Sequence, residues 1–334
     1  MRDNSQNLSS RCSGRRLGEL APGGERLSLA APLPAGGVRV HILALGDVGA
    51  SLLLGLKVLG AGTIGTIGIF DVREPVCRRY EMEMNQIGWA FEEQEKNVLP
   101  DVEIVAEDRL FDCDLFLFCA SKAVPALGTA GDVRMMQFDA NRTLVEHYAR
   151  MAADRRFRGI FGVVSDPVDP LCKAALLASG LQPGQIRGFG LGVMNRRAVY
   201  YARQDARFAS YPAEGRAFGP HGQDLVIADS IVHYNDARSR QLTELTVSAN
   251  LEVRKLGFKP YLAPALSSGA MSVIRMLQGK WHYSSIYFGK KEKGAFLGTA
   301  NRVRGERLEY EDLLLPEELY VRIETAYQNL CRIL

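Results

Sequence analysis

The sequence predicts an α/β protein: a doubly wound parallel sheet followed by a smaller α+β region. Apolar runs of strand length alternate with helix-length stretches through residues 38–179, and a glycine turn joins the first run to the first helix. Acidic or small residues stand where the runs end, as at Asp71, Cys119 and Asp166.

Residues 38–45 read as a buried strand, Gly46-Asp47-Val48-Gly49 as a tight turn, and residues 50–59 as an apolar helix. A second strand over 66–70 ends on Asp71. In such a βαβ unit the glycines let the backbone approach a pyrophosphate at the helix N-terminus, and the acid meets the adenosine ribose hydroxyls. Ala44 stands where the usual G-x-G-x-x-G fingerprint has its first glycine. Asp71 would repel a 2′-phosphate, so NAD is expected in preference to NADP.

The alternation continues with a helix over 73–89, a strand over 102–105, and a strand over 110–119 broken at Cys113-Asp114. A loop rich in Ala, Gly and Pro spans 121–131, followed by a helix over 139–150, a strand over 160–164 and a helix over 172–179. In a doubly wound sheet the ligand crevice lies at the carboxyl ends of the strands. Beyond it, residues 241–256 form a long amphipathic helix and 265–277 an apolar one that should line the site. Residues 281–288 and 294–299 read as strands of a smaller antiparallel layer, and Leu315-Pro316-Glu317-Glu318 opens a final helix.

Three regions are therefore expected. Residues 1–37 form a disordered extension, because Pro22, Gly23, Gly24, Pro32, Pro34, Gly36 and Gly37 punctuate it without a helical or strand period. Residues 38–188 form a dinucleotide-binding Rossmann-type domain, and 189–334 a substrate domain.

Composition narrows the partners. A chain of 334 residues, 47% hydrophobic, can bury a large core, and 41 Lys plus Arg against 38 Asp plus Glu leave no basic field for nucleic acid or an anionic membrane. The six cysteines lack metal-type pair spacing and suit a reducing compartment. No run is long enough to cross a bilayer and no secretory pattern opens the chain, so a soluble, cytoplasmic protein acting on a small molecule is expected. His41, His147, His233 and His282 have no metal-ligand spacing, so they read as structural and no metal is expected.

Two residues point to chemistry. Arg197, in Met194-Asn195-Arg196-Arg197, can hold a carboxylate by a forked pair of hydrogen bonds, and His221, in Gly219-Pro220-His221-Gly222, can pass a proton near neutral pH. Together they suggest an oxo-acid or hydroxy-acid site.

Three linked blocks carry a family resemblance. Ser165-Asp166-Pro167-Val168-Asp169 is similar to an S-N-P-V-D motif, Val193-Met194-Asn195-Arg196-Arg197 falls at L-D-x-x-R, and Gly219-Pro220-His221-Gly222 at G-E-H-G, with the intervals matching without a gap. In these the chain resembles the L-lactate/malate dehydrogenases, in particular the lactate dehydrogenase branch, over residues 38–334. The resemblance implies an NAD-dependent oxidoreductase of L-2-hydroxy acids, assembled as a homodimer or homotetramer. It makes His221 the proton donor and acceptor, Arg197 the carboxylate clamp, and Arg134 the residue of a mobile loop that polarises the substrate carbonyl. It places NAD against Gly46, Asp47, Val48, Gly49, Asp71, Cys119, Ala120, Asn141 and Ser165.

The chain departs from this pattern at three places. The Asp that orients the family's imidazole is Met194, the Asn of S-N-P-V-D is Asp166, and the Thr of the later active-site helix is replaced within a segment where Ser267 or Ser268 could supply the hydroxyl. A carboxylate lost at 194 and gained at 166 suggests that Asp166 pairs with His221 from the opposite side. Residues 127–131 offer no cation for a second substrate carboxylate, which favours pyruvate or another apolar 2-oxo acid over oxaloacetate, although Lys122 on the same loop could fold back. A noncatalytic homologue acting as a nucleotide-binding or assembly protein stays open as the second class.

Overall fold

The structure, a computed structural model, describes residues 14–91, 98–122, 133–290 and 293–334. Its frame is a sheet of nine strands in the order β12-β11-β10-β7-β6-β5-β2-β3-β4. The parallel part comprises β2 (Val38–Leu43), β3 (Ile64–Phe70), β4 (Asp101–Ile104), β5 (Leu115–Phe118), β6 (Ile160–Val163) and β7 (Ile186–Gly188). The central strands β5 and β6, buried on both faces, are continuously apolar, as in Leu-Phe-Leu-Phe of β5, whereas the edge strand β4 is mostly exposed.

One face is covered by α1 (Asp47–Leu59), through Leu52, Leu53 and Leu56, and by a later helix, Met271–Leu277, through Val273 and Met276. Between these helices in the chain come α2 (Glu74–Asn85), α3 (Val133–Asp154), α4 (Val168–Ser179), α5 (Leu191–Ala202) and α6 (Asp236–Lys255); Met271–Leu277 is then α7. Helices α3 and α4 pack on each other and cover the opposite face with Val145, Ala149, Leu171 and Ala175. A π-helical stretch, Pro264–Ala270, leads directly into α7, so the single helix expected over 265–277 has two windings.

Strand order reverses between β2 and β5, which places the crevice at their carboxyl ends. Asp71, Cys119 and Asp166 all follow strands at that edge. The antiparallel strands β10 (His282–Lys290), β11 (Lys293–Arg304) and β12 (Arg307–Tyr310) do not form the separate layer expected. They extend the parallel sheet, since β10 pairs with β7 at Ser285 and Gly188. A short hairpin of β8 (Arg216–Phe218) and β9 (Val226–Ala228) lies apart from it.

The expectation of a disordered extension over 1–37 fails for its described part, residues 14–37. Here β1 (Arg15–Arg16) pairs with β13 (Leu314–Leu315), and Leu29 N–H donates to the Glu306 carbonyl at 2.8 Å. Leu17, Leu20 and Leu29 are buried, and Arg15 lies over the Tyr320 ring of α8 (Glu317–Cys331). The segment is irregular because its partners come from the far end of the chain. A local search for a period misses such order. Residues 1–13 lie outside the described part.

No helix among the described residues is long and apolar enough to cross a membrane. Cys77, Cys113, Cys119, Cys172 and Cys331 are free thiols.

The turn after β2 carries strain. Ala44 takes a left-handed φ of 73° and donates its N–H to the Phe70 carbonyl at 2.7 Å. A Cβ on Gly49 would stand 2.0 Å from the Ala44 carbonyl oxygen, so glycine is required at 49 by close approach. Ala44→Gly should raise stability by about 1 kcal/mol, the left-handed penalty less the added freedom of the unfolded chain. An unchanged or lower midpoint in denaturant would contradict the strain.

His282 at the start of β10 is buried, with Nδ1 3.1 Å from the Lys280 carbonyl and Nε2 3.1 Å from Ser284 Oγ. Burial pushes its pKa down to about 4, aided by the charges of Arg187 and Arg275 and opposed by the Lys280 carbonyl. The folded ring stays neutral where the unfolded ring, with a pKa of about 6.5, takes a proton. Stability should therefore fall as pH drops from about 6.5 through about 4, by up to roughly 3 kcal/mol. Denaturant midpoints measured across that window should slope less in His282→Gln, and an equal slope would refute the assignment.

Candidate active site

Three elements deliver the reactive side chains to the carboxyl edge. The segment after β6 carries Asp166, the loop between β8 and β9 carries His221, and α5 carries Arg197. His221 Nδ1 lies 3.0 Å from Asp166 Oδ1, within hydrogen-bond distance, although 55 residues separate them. The imidazole is 16% exposed and the carboxylate 45%, so the pair sits at the mouth of the crevice with its ring side sheltered. Gly190 makes room for the histidine: a Cβ there would stand 3.0 Å from His221 Cβ and 3.1 Å from Val168 Cγ2. The structure thus brings together the two residues that the sequence suggested would pair.

Position 194 takes a different part. Met194 is buried in the core cluster around α5, and Arg197 Nη1 donates to its sulfur at 3.4 Å. Burial lowers the Arg197 pKa, while the charge of Asp166 pushes it back up. No carboxylate among the described residues lies within ion-pair distance of this guanidinium. A half-buried cation in that state is a ready receptor for the carboxylate of a small acid.

Asn141 and Ser165, expected to face a cofactor, are instead committed inside the protein. Asn141 is fully buried; its Nδ2 donates to the Asp166 carbonyl at 2.8 Å, and its Oδ1 accepts from Lys122 N–H at 2.9 Å. It ties the loop after β5 to the residue that holds the imidazole. Ser165 Oγ donates to the Ala120 carbonyl at 2.8 Å and braces the same two strand ends.

Neither candidate serine reaches the substrate side. Ser268 Oγ donates to the Gly190 carbonyl at 2.6 Å and accepts from Val193 N–H at 2.8 Å, so it caps α5 from a neighbouring element. Ser267 lines a separate cavity of about 1020 Å³ with Asn195, Arg196, Met271 and Trp281, whose lining includes neither His221 nor Arg197. The side chain of Arg134 and residues 123–132 lie outside the described residues.

The dinucleotide turn has the expected form. Gly46 precedes α1 with open space where a Cβ would project, and Val48 and Gly49 form its first turn. Asp47, beside the helix N-terminus, pairs with Lys259 at 3.0 Å. Cys119 N–H donates to the Leu43 carbonyl at 3.1 Å and its Cβ lies 3.3 Å from the position a Cβ on Gly49 would take, so Cys119 and Ala120 floor the turn. Asp71 Oδ2 accepts from Leu45 N–H at 2.9 Å, and Arg73 Nε bonds Asp71 Oδ1 at 3.0 Å. The sequence reading missed this arginine. The available signal was a cation two residues beyond the acid that ends β3.

No family model matches the chain. Among curated proteins it is 26% identical to an L-lactate dehydrogenase of Treponema denticola over 195 residues, 58% of each chain. It is 23% identical to a malate dehydrogenase of Sulfurimonas denitrificans over 216 residues, 64% of this chain and 63% of that one. The chain thus spans less than two thirds of the length of these relatives. A ligand-bound minor L-lactate dehydrogenase of Enterococcus mundtii superposes with a TM-score of 0.72 at 20% identity, over 90% of this chain and 98% of that one. A malate dehydrogenase of Archaeoglobus fulgidus, solved with NADH, gives 0.69 at 16% identity, over 88% and 98%. The chain is thus similar in sequence to L-lactate and malate dehydrogenases and shares their fold.

Proposed function

We propose that this chain is an NAD-dependent oxidoreductase that interconverts a 2-hydroxy acid and a 2-oxo acid. The observation that carries the reading is the 3.0 Å contact between His221 and Asp166 beside the half-buried Arg197. The dinucleotide turn suits the cofactor, because Gly46 leaves open space before the first turn of α1, where a pyrophosphate can meet the helix N-terminus, and Gly49 lets that turn pack closely on Ala44. Gly46, Asp47, Val48, Gly49 and Asp71 would hold it, with Cys119 and Ala120 below. When bound, the nicotinamide exchanges a hydride with the hydroxyl-bearing carbon of the substrate.

The protein's own part is binding and proton transfer. Arg197 forks onto the substrate carboxylate and fixes the neighbouring carbon. Asp166 holds Nδ1, which leaves Nε2 to give a proton to the carbonyl oxygen in reduction and take it from the hydroxyl in oxidation. Asp166 faces the positive ring that exists before reduction or after oxidation, the part that an orienting Asp plays in other histidine sites. By the resemblance, Arg134 would add a positive charge beside the substrate carbonyl.

The substrate we favour is pyruvate, with lactate as product, or a bulkier apolar 2-oxo acid. Residues 127–131 bring no cation to a second carboxylate, which would stand unpaired in a desolvated site. Conversion of NADH in the presence of pyruvate, 2-oxobutyrate, phenylpyruvate or oxaloacetate tests this, and turnover should be highest with a monocarboxylate. NADH binding with no turnover on any of them would favour a nucleotide-binding role.

Asp166→Asn should lower turnover by about two to four orders of magnitude, by analogy with loss of the orienting Asp elsewhere. Unchanged turnover in this variant would dispose of the relay.

A further inference from the structure

The acid that ends β3 is not free to accept two ribose hydroxyls. Asp71 Oδ1 accepts from Arg73 N–H at 3.0 Å and Arg73 Nε–H at 3.0 Å; Oδ2 accepts from Leu45 N–H at 2.9 Å and Arg73 Nη2–H at 3.4 Å. A carboxylate has about four lone-pair sites, and these four bonds engage them. An adenosine ribose must displace the guanidinium or bring an acceptor of its own to it.

The guanidinium is well placed to receive one. Arg73 is 63% exposed while Asp71 is buried, so the cation forms the outer surface of the pair. A guanidinium so exposed is screened by solvent and can swivel away from the carboxylate. Arg73 is also the N-cap of α2, a helix of 12 residues, and so stands at the positive end of its dipole. The other charges nearby are already matched. Glu74 accepts from Arg78 at 2.7 and 2.9 Å, and Arg79 pairs with Glu83 at 3.0 Å. Where an isolated Asp71 would present a negative field, the described charges leave a neutral pair with its cation outward.

We propose that Arg73 lets this site take a 2′-phosphate, so that the chain binds NADP(H) about as well as NAD(H). An exposed guanidinium beside the ribose position supplies a forked donor for phosphate oxygens and offsets the repulsion from Asp71. The inference rests on the dinucleotide reading of the Gly46 turn and deepens it.

The test is direct binding, without substrate. NADH and NADPH are titrated separately into the full chain, the wild type and Arg73→Ala and Arg73→Lys variants, with nucleotide fluorescence as readout. In the wild type the two dissociation constants should agree within about tenfold. Arg73→Ala should weaken NADPH by roughly tenfold or more and leave NADH unchanged or tighter, since the ribose then meets an unblocked Asp71. Arg73→Lys should keep part of the NADPH affinity. A wild type that binds NADH but holds NADPH more than about a hundredfold more weakly overturns the inference and leaves the dinucleotide site standing. Equal loss of both nucleotides in Arg73→Ala also overturns it, by showing a structural role. Failure to bind either nucleotide removes the dinucleotide reading and this inference with it.

Discussion

The contact between Asp166 and His221 joins two parts of the chain that no local structure brings together, and the geometry around it serves to hold it. The carboxylate follows β6, and Asn141 of α3 fixes its backbone by bonding the Asp166 carbonyl. The histidine rides on the loop between β8 and β9, and the absence of a side chain at Gly190 lets it approach α4 and α5. Ser268 fixes the start of α5 and so the position of Arg197 one turn later. Asp166, His221 and Arg197 thus rest on side chains that are themselves buried and bonded, the arrangement that preorganisation requires.

The exchange of carboxylates has a physical logic. A methionine at 194 is apolar enough to join the α5 core, and its soft sulfur still accepts a weak bond from Arg197. A carboxylate there would sit beside the guanidinium and partly neutralise it. At 166 the acid reaches the imidazole directly yet stays 45% exposed, where solvation of its charge costs less. Arg197 is left without a carboxylate in ion-pair distance among the described residues, although the field of Asp166 reaches it.

The same principle of local charge pairing recurs at the nucleotide edge. Asp47 is offset by Lys259 and Asp71 by Arg73, so both acids near the expected pyrophosphate and ribose positions are matched by cations. The joining of β10 to β7 makes one sheet of the parallel and antiparallel parts. That continuity places β10–β12 on the same sheet as the strand that leads into the Gly46 turn.

Much of this was legible in the residues. Strand and helix periods from 38 to 179, the Gly46 turn and the order of the Asp166, Arg197 and His221 blocks follow from hydrophobic patterning and turn chemistry, which act over a few residues. Even the Asp166–His221 pairing could be expected, because a carboxylate vanished at one site position and appeared at another. Only the tertiary structure decided the rest. It buried Asn141, turned Ser268 to cap α5 and Ser267 toward another cavity, placed Arg73 on Asp71, and gave residues 14–37 their partners near the C-terminus. These outcomes depend on which surfaces meet across long stretches of chain, and a side chain's direction is set by that packing, which a residue's immediate neighbours do not encode.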